Sequence, residues 1–237
     1  MGDPNTMRAL RITAIVFVVL GILFVAADRL AVYFAESEAA DKIKTSQGLT
    51  NTPDVSIKGF PFLTQVAGKE LDEVEIGMDG LTTDAGGGRT VRVTKLNASL
   101  HNVRISSSFS SATADSATGS AHISYADLST AAGQGITVGY AGKDKSGQAR
   151  VKITGQLMGL SMSTYSTVTL VNGDTIRMRA ESVPGSKIPG WEEKVRQRTD
   201  IDRKIDGLPT GMRLEKVETD KDGIDVSVVG NNVELAG

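Results

Sequence analysis

The residue types that most often carry catalysis or bind metal ions are sparse in this sequence. His101 and His122 are the only histidines, and there is no cysteine. Neither histidine lies in a G-x-S-x-G nucleophile turn or an H-E-x-x-H zinc motif, and the two have no paired spacing. Both stand in strand-like segments, which favours a structural role with a polar partner. The sequence therefore predicts no catalytic residue, no metal site and no cofactor.

Carboxylates cluster at one point, in the segment DKDGID from Asp220 to Asp225. A calcium loop requires glycine where Asp225 stands and a glutamate that closes the loop with two oxygens, and both are missing. A hairpin turn explains the segment better. The chain has 28 acidic residues, so other carboxylate pairs arise by chance and no glycosidase pair is predicted.

Composition excludes further classes of protein. The formal net charge is −2, and no basic stripe with interleaved aromatic residues is present, so nucleic acid is not a predicted partner. Aromatic residues make up only 5% of the chain, while Val, Ile, Leu, Thr and Ser carry its pattern. This composition is typical of β-rich proteins. A chain of 237 residues can bury a sizeable core in one domain or two.

An uncharged apolar run, ITAIVFVVLGILFVAA from Ile12 to Ala27, follows Arg8 and Arg11. A membrane-spanning helix needs about 20 apolar residues, with a lower limit of about 17. The run, extended by the nearby LAVYFA, predicts a signal anchor. The alternative is a signal peptide cleaved after Ala27, because Val25 and Ala27 are small enough for the cleavage positions.

Two domains follow from this interpretation. Residues 1–27 are predicted to be a cytoplasmic tail plus a signal anchor or signal peptide, and residues 28–237 an extracytoplasmic domain. The expected location is the plasma membrane, as a single-pass protein with the domain outside the cytoplasm. Cleavage would instead release the domain into the cell envelope.

The apolar pattern changes its period after the N-terminal segment. A helical pattern continues as far as Gly48, and its predicted apolar face consists of Leu30, Tyr33, Phe34 and Ala40. Beyond it, apolar and polar residues alternate in many short segments, which predicts a curved antiparallel sheet. Hairpin turns are predicted at Asn172-Gly173 and in the segments GKDKSGQ, TDKDGI and VVGNNVE.

Three segments interrupt the alternation. SYADLSTAA, from Ser124 to Ala132, predicts a short helix capped by Ser124. Residues 188–206 predict a longer helix that packs on the sheet through Trp191, Val195, Ile201 and Ile205. The small polar segment from Ser106 to Ser120 predicts a mobile connection or a weakly specified edge strand.

The segment SIKGFPFLTQ, from Ser56 to Gln65, is apolar where regular structure is disfavoured. Pro61 cannot donate to a sheet ladder, and glycine with proline weakens a helix interior. Two interpretations remain open. The three side chains Phe60, Phe62 and Leu63 either form an apolar plug or lip of a cavity, or fold down as a corner of the core.

Three stretches resemble a known family: DVSIKGFPFLTQVAGKELDEVEI, AHISYADL and GLPTGMRLEKVETDKDGIDVSVVGNNVEL. From about Asp28 to Gly237 the chain resembles the actinobacterial LmeA-like phospholipid-binding family, which includes a lipomannan elongation factor. The family is similar to tubular lipid-binding proteins, in which a curled antiparallel sheet wraps a helix and leaves an apolar tunnel. The resemblance implies an α+β fold of this kind, phospholipid or a related envelope lipid as partner, and a role in cell-envelope lipid or lipoglycan assembly.

The sequence has many apolar strand faces and no recognisable set of catalytic residues. The simplest prediction is therefore that the domain binds an apolar ligand in a hydrophobic cavity. Methionine adapts its shape to a disordered alkyl chain, which brings Met78 and Met178 into consideration. The predicted lipid-lining residues are Val74, Ile76, Met78, Val91, Val93, Met178 and Val226, with Phe60, Phe62 and Leu63 near one end. The alternatives are a membrane-anchored scaffold or interaction module without ligand and, more weakly, an enzyme acting on a lipid-linked sugar.

Overall fold

The computed structural model describes residues 4–86, 88–107, 111–157, 160–183, 191–206 and 208–236. A long helix comes first, and the rest of the chain is mostly strand. The helices are α1 (Pro4–Ser46), α2 (Phe62–Gly68), α3 (Tyr125–Ala132) and α4 (Trp191–Thr199). The strands are β1 (Asp54–Lys58), β2 (Glu70–Gly86), β3 (Arg89–Ile105), β4 (Ser111–Ser124), β5 (Ile136–Lys143), β6 (Ala149–Leu157), β7 (Leu160–Val171), β8 (Thr175–Ala180), β9 (Ile201–Lys204), β10 (Met212–Thr219) and β11 (Gly223–Ala236).

The strands form two antiparallel sheets. The first has the order β1-β2-β3-β4-β11-β10 and the second the order β5-β6-β7-β8-β9. The predicted α+β class, with antiparallel strands and an N-terminal apolar helix, is confirmed. The strands are divided between two sheets because α3 carries the chain out of the first sheet before β5 begins, and β10 and β11 then return to it.

Helix α1 runs without a break from the apolar run into the domain. It is long and apolar enough to cross a membrane, with a mean hydropathy of 2.6 in its most apolar 18-residue window, none of which is buried. The second half packs against edge strand β1, where Glu36 Oε1 accepts a hydrogen bond from Ile57 N–H at 2.7 Å. A carboxylate of the helix thus satisfies a backbone donor of the sheet edge.

The packing face of α1 differs from the predicted one. Val32 and Ala40 are buried, whereas Leu30, Tyr33 and Phe34 are exposed by 60%, 64% and 67%. Of the predicted apolar face, only Ala40 is therefore buried, and the other three residues do not pack on the core. The core cluster instead receives Val32, with Ala31 and Ala35 packed against it, because small side chains let the helix approach the sheet closely.

In the first sheet, the alternation of side chains between the two faces is interrupted once on each of the neighbouring strands, at positions that lie side by side along one line. Apolar residues of one buried cluster are three positions apart on neighbouring strands, Leu100 and Val103 on β3 and Ala114 and Ala117 on β4. Asn102 on β3 and Asn232 on β11 have positive φ angles of 49° and 50° near this line. Asparagine tolerates the left-handed conformation better than most residues, which lets the apolar face continue across the change.

The second sheet meets the far end of the first. Ala149, Val151 and Val168 of the second sheet form a buried cluster. Tyr125, Val217 and Ile224, from α3 and the last two strands of the first sheet, pack against it. The core therefore has two parts, one beside α1 and α2 and the other where the two sheets meet.

Several element predictions need correction. Ser111–Ser124 is a central strand between β3 and β11, so the prediction of a mobile connection or edge strand was wrong for this part. The predicted hairpin in VVGNNVE lies within the single strand β11, and the predicted helix over 188–206 ends at Thr199. Ile201 lies in β9, which pairs with β8, and is 39% exposed. Residues 188–190 lie outside the described residues.

Local turn and cap signals are confirmed. Asn172 and Gly173 lie in the turn between β7 and β8 with φ angles of 56° and 72°, and the paired residues Val171 and Thr175 enclose a three-residue loop. The segments GKDKSGQ and TDKDGI also join paired strands. Ser124 Oγ accepts a hydrogen bond from Asp127 N–H at 3.1 Å and so caps α3.

Candidate functional site

The pairing of the first sheet brings a set of apolar residues to one face. Residues directly opposite each other in an antiparallel pair lie on the same side of the sheet. One rung joins Val55, Ile76, Ala98, Gly119 and Val228 across β1, β2, β3, β4 and β11. The next rungs join Met78, Leu96, Ala121 and Val226, and Ile57, Val74, Leu100 and Ala117. We call this surface the apolar face.

Strand β4 contributes only small side chains to the middle of the apolar face, namely Ala117, Gly119 and Ala121. The neighbouring positions on β3 and β11 carry Leu96 and Leu100 on one side and Val226 and Val228 on the other. A strand of small side chains between two strands of larger ones forms a lower line along β4, which Val228 narrows at Gly119, where a Cβ would lie 2.8 Å from Val228 Cγ2. We call it the β4 furrow.

The apolar face is covered unequally. At the end near α1 and α2, Leu100 and Ala117 are buried in the cluster that includes Val32 and Phe62. In the middle, Ile76, Met78, Leu96, Ala98 and Ala121 are only half-buried. The middle of this face is therefore apolar and still accessible.

The GFPFLTQ segment lies at the α1 end of the apolar face. Gly59 has a φ of 95°, and a side chain there would collide with Asp72 and Gln65. Gln65 Oε1 accepts a hydrogen bond from Asp72 N–H at 2.8 Å, which ties α2 to β2. Pro61 is extended and precedes the first turn of α2, where its missing N–H costs nothing.

The three apolar residues of this segment do not share one role. Phe62 is buried at 6% exposure and belongs to the core cluster. Phe60 and Leu63 are exposed by 58% and 37%. One residue is thus a corner of the core, while its two neighbours form an exposed lip beside the last turns of the apolar run.

Asp28 joins this lip to α1. Its side chain is fully buried, and Oδ1 accepts a hydrogen bond from Leu63 N–H at 2.8 Å. Oδ2 pairs with the Arg29 guanidinium at 2.6 Å, and the same guanidinium carbon lies 5.3 Å from the centre of the Phe60 ring. A buried carboxylate needs such partners, and here they fix the position of α2 relative to the end of the apolar run.

The predicted lipid-lining residues are distributed over several places. Val74, Ile76, Met78 and Val226 lie together on the apolar face. Val93 is buried further along β3, opposite Leu81, and Val91 is half-buried opposite Thr83. By strand alternation these two lie on the side opposite Leu96. Met178 packs in the second sheet with the cluster of Ala149, Val151 and Val168.

The two histidines have carboxylate neighbours on adjacent strands. His101 Nδ1 lies 3.8 Å from Glu73 Oε1, and His122 Nδ1 lies 2.9 Å from Asp225 Oδ1. Ligand atoms of His122, Asp220 and Asp225 all lie within 4.8 Å of one another. Asp220 Oδ1 accepts the backbone N–H groups of Gly223 and Asp222, and these bonds hold the pKa of Asp220 below its usual value. The carboxylate of Asp220 thus has a role in the β10–β11 turn.

An open depression of about 290 Å³ crosses β3, β4 and β11 at the level of Ala98, Gly119 and Val228, and by strand alternation it lies on the side of the sheet opposite the apolar face. Much of its lining comes from polar residues that alternate with the apolar-face residues along the same strands, namely Asn97, Ser99, Thr118, Ser120 and Ser227. Its volume is at the lower end of the range for small-molecule pockets, and the polar lining differs from the predicted apolar cavity.

The structure is an α+β domain of two antiparallel sheets with an accessible apolar face, preceded by a long apolar helix. Comparison with known families agrees with this description, since the family described as LmeA-like phospholipid-binding matches residues 26–229. The chain belongs to the LmeA-like phospholipid-binding family. No curated protein and no solved structure gives a significant match.

Sequence reasoning missed two parts of this site. For Ala117 and Gly119 of the β4 furrow the sequence predicts a mobile connection or a weakly specified edge strand, because alanine, serine and glycine give no strong apolar alternation. The sequence marks Asp28 only as the charged residue that ends the apolar run. A charged residue placed directly before a continuing helical pattern was the one available signal for Asp28, and its partner Leu63 is distant in sequence.

Proposed function

We propose that this protein binds a glycerophospholipid, or a related polyprenyl-type envelope lipid, with its acyl chains against the apolar face of the first sheet. The observation that carries the proposal is the half-buried middle of that face, where the β4 furrow runs between larger side chains. Membership of a phospholipid-binding family supports the same class of ligand.

The energetics favour a site that shelters most of an acyl chain. Each methylene removed from water contributes about 0.8 kcal/mol, so a chain of roughly sixteen carbons represents about 12 kcal/mol before the costs of binding. Val74, Ile76, Met78 and Val226 supply apolar contacts on this face. Phe60, Phe62 and Leu63 stand at its α1 end, and we place Val91, Val93 and Met178 outside the main contact region.

The location follows from the same proposal. Residues 1–27 hold the protein in the plasma membrane as a signal anchor, and residues 28–237 lie outside the cytoplasm, where the protein supports cell-envelope lipid or lipoglycan assembly. The unbroken course of α1 through the candidate cleavage site after Ala27 is compatible with an anchor, while the α1 residues that pack on the sheet all lie beyond that site. We propose no catalytic step.

Lipid carried by the purified full chain tests the proposal. The chain is extracted in detergent and washed with excess detergent to remove loosely associated lipid. Its remaining bound lipid is then quantified by mass spectrometry after organic extraction. Ile76→Asp and Met78→Asp place a charge on the apolar face and should abolish bound lipid. Asn97→Asp is the matched control, since it puts the same charge on the exposed opposite side of β3. Equal lipid in all three variants would refute the proposed site.

A further inference from the structure

Large apolar side chains are exposed at one end of the domain. Among the described residues after Val25, eight large hydrophobic residues are exposed, and five of them lie around the point where α1 enters the domain. These five are Leu30, Tyr33, Phe34, Phe60 and Leu63, with exposures from 37% to 67%. We call them the apolar collar. Such a concentration differs from the scattered single residues that are normal on a protein surface.

The collar lies on two sides of α1. Leu30, Tyr33 and Phe34 are on the side of the helix that faces away from buried Val32. Phe60 and Leu63 are held beside the same turns by the hydrogen bond to Asp28 and the contact with Arg29. The two groups therefore surround the helix at about the same height.

The position of the collar fits the polar layer of a bilayer. At 1.5 Å rise per residue, Phe34 lies about 9 Å beyond Asp28 along the helix axis. The headgroup region on each side of the hydrocarbon core is about 5–8 Å thick. A span that ends near Ala27 thus places Leu30 within the headgroup region. Tyr33 and Phe34 lie about 9 and 10.5 Å beyond Ala27 along the axis, and because helical side chains tilt toward the N-terminus, their rings reach back to the outer part of this region, where tyrosine and other amphipathic rings are enriched. Arg29 beside Phe60 is placed to meet lipid phosphates.

We propose that the apolar collar inserts into the headgroup layer of the membrane that α1 spans, so that Phe60 and Leu63 form a second membrane contact. The proposal rests on the anchor in the proposed function and extends it, because it places the α1 end of the apolar face against the lipid source. It does not require that a lipid be bound on the sheet.

The absence of cysteine allows a direct test with single-cysteine variants of the full chain. Leu63→Cys and Tyr33→Cys probe the two sides of the collar, and Lys145→Cys probes the exposed β5–β6 turn as a control. Each variant carries an environment-sensitive fluorophore. The labelled chains are reconstituted in phosphatidylcholine–phosphatidylglycerol vesicles that contain lipids with a spin label near the headgroup.

We expect the labels at positions 63 and 33 to lose most of their emission to the spin-labelled lipid, while the label at 145 keeps its emission. A position-63 label that behaves like the control would overturn the proposal. A position-63 label shielded from both the lipid quencher and aqueous iodide would also overturn it, because a second copy of the chain would then cover the collar.

The two proposals fail separately. Bound lipid in the same labelled proteins is measured by mass spectrometry. Quenching at position 63 without bound lipid would contradict the proposed function alone, and bound lipid without quenching would contradict the membrane contact alone.

Discussion

The buried carboxylate of Asp28 accepts a hydrogen bond from the backbone N–H of Leu63 at 2.8 Å. This bond joins the end of the apolar run in α1 to the first turn of α2. It connects the long apolar helix with the segment that lies at the α1 end of the apolar face. The bond adds to the packing of Phe62 in the cluster that includes Val32, and together these contacts set the relative position of the two helices.

Asp28→Ala should release α2 from α1. Removing the carboxylate leaves the Leu63 N–H without its acceptor, and an unsatisfied buried group costs about 1–3 kcal/mol. We expect this loss in the free energy of unfolding of the full chain in detergent, together with faster hydrogen exchange across residues 60–68. Glu38→Ala, at an exposed position of the same helix, is the control. Equal behaviour of the two variants would show that the bond has no structural role.

Ala121→Phe should fill the β4 furrow. Ala121 lies on the apolar face between Leu96 and Val226, and a phenyl ring there would occupy the space assigned to an acyl chain. Overpacking typically costs about 1–3 kcal/mol, so the fold should survive while bound lipid is lost. Ser120→Phe introduces the same ring on the exposed opposite side and should keep its lipid. Mass spectrometry of extracted lipid compares them, and retention of lipid by both would argue against the furrow.

Asn102→Val should destabilise the first sheet. Asn102 has a φ of 49°, where a β-branched side chain is strained by about 1–3 kcal/mol, whereas glycine is not. Asn102→Gly is therefore the matched control. The midpoint of thermal unfolding should fall in the valine variant and change little in the glycine variant. Equal midpoints would mean that the left-handed conformation at this position is not needed for the fold.

Alkaline pH should weaken the junction of the two sheets. Tyr125 donates a hydrogen bond from its hydroxyl to the Asp220 carbonyl, and burial, with a smaller effect from the Asp220 charge, raises the pKa of Tyr125 to about 12. Because the folded pKa lies above the usual value of about 10, the contribution is complete below pH 10 and is lost between pH 10 and 12.

Tyr125→Phe provides the comparison for this pH dependence. The variant loses one hydrogen bond, worth about 0.5–1.5 kcal/mol at neutral pH. Unfolding in urea at pH 8 and pH 11 should show a smaller loss of stability in the variant than in the original chain. An identical loss in both would assign the alkaline effect to other groups.

Features set by neighbouring residues could be predicted from the sequence. The turn at Asn172-Gly173 and the cap at Ser124 depend on local backbone preferences, and both are present. The strands could likewise be predicted from the alternation of apolar and polar residues, and the N-terminal helix from its continuous apolar run. The family resemblance seen in the sequence, from about Asp28 to Gly237, covers nearly the same residues as the family match over 26–229.

Features set by distant contacts could not be predicted. Leu30, Tyr33 and Phe34 belong to the apolar face that the helical pattern predicts, yet the sheet packs against Val32 and the small side chains of α1 instead. In β4, the step of three between Ala114 and Ala117 hides the alternation of a strand. The register that places Gly119 opposite Ala98 depends on pairing with β3, so the furrow has no local signal.

Photo-crosslinking tests the central claim most directly. The full chain is loaded with a phosphatidylglycerol that carries a diazirine near the middle of one acyl chain, irradiated in detergent and digested for peptide mass spectrometry. Labelling of α1 alone would also arise from lipid around the span, so the decisive peptides come from the sheets. We predict labelled peptides that contain residues 96–100 and 117–121. Label confined to α1, or placed on the second sheet around Met178, would contradict a lipid site on the apolar face.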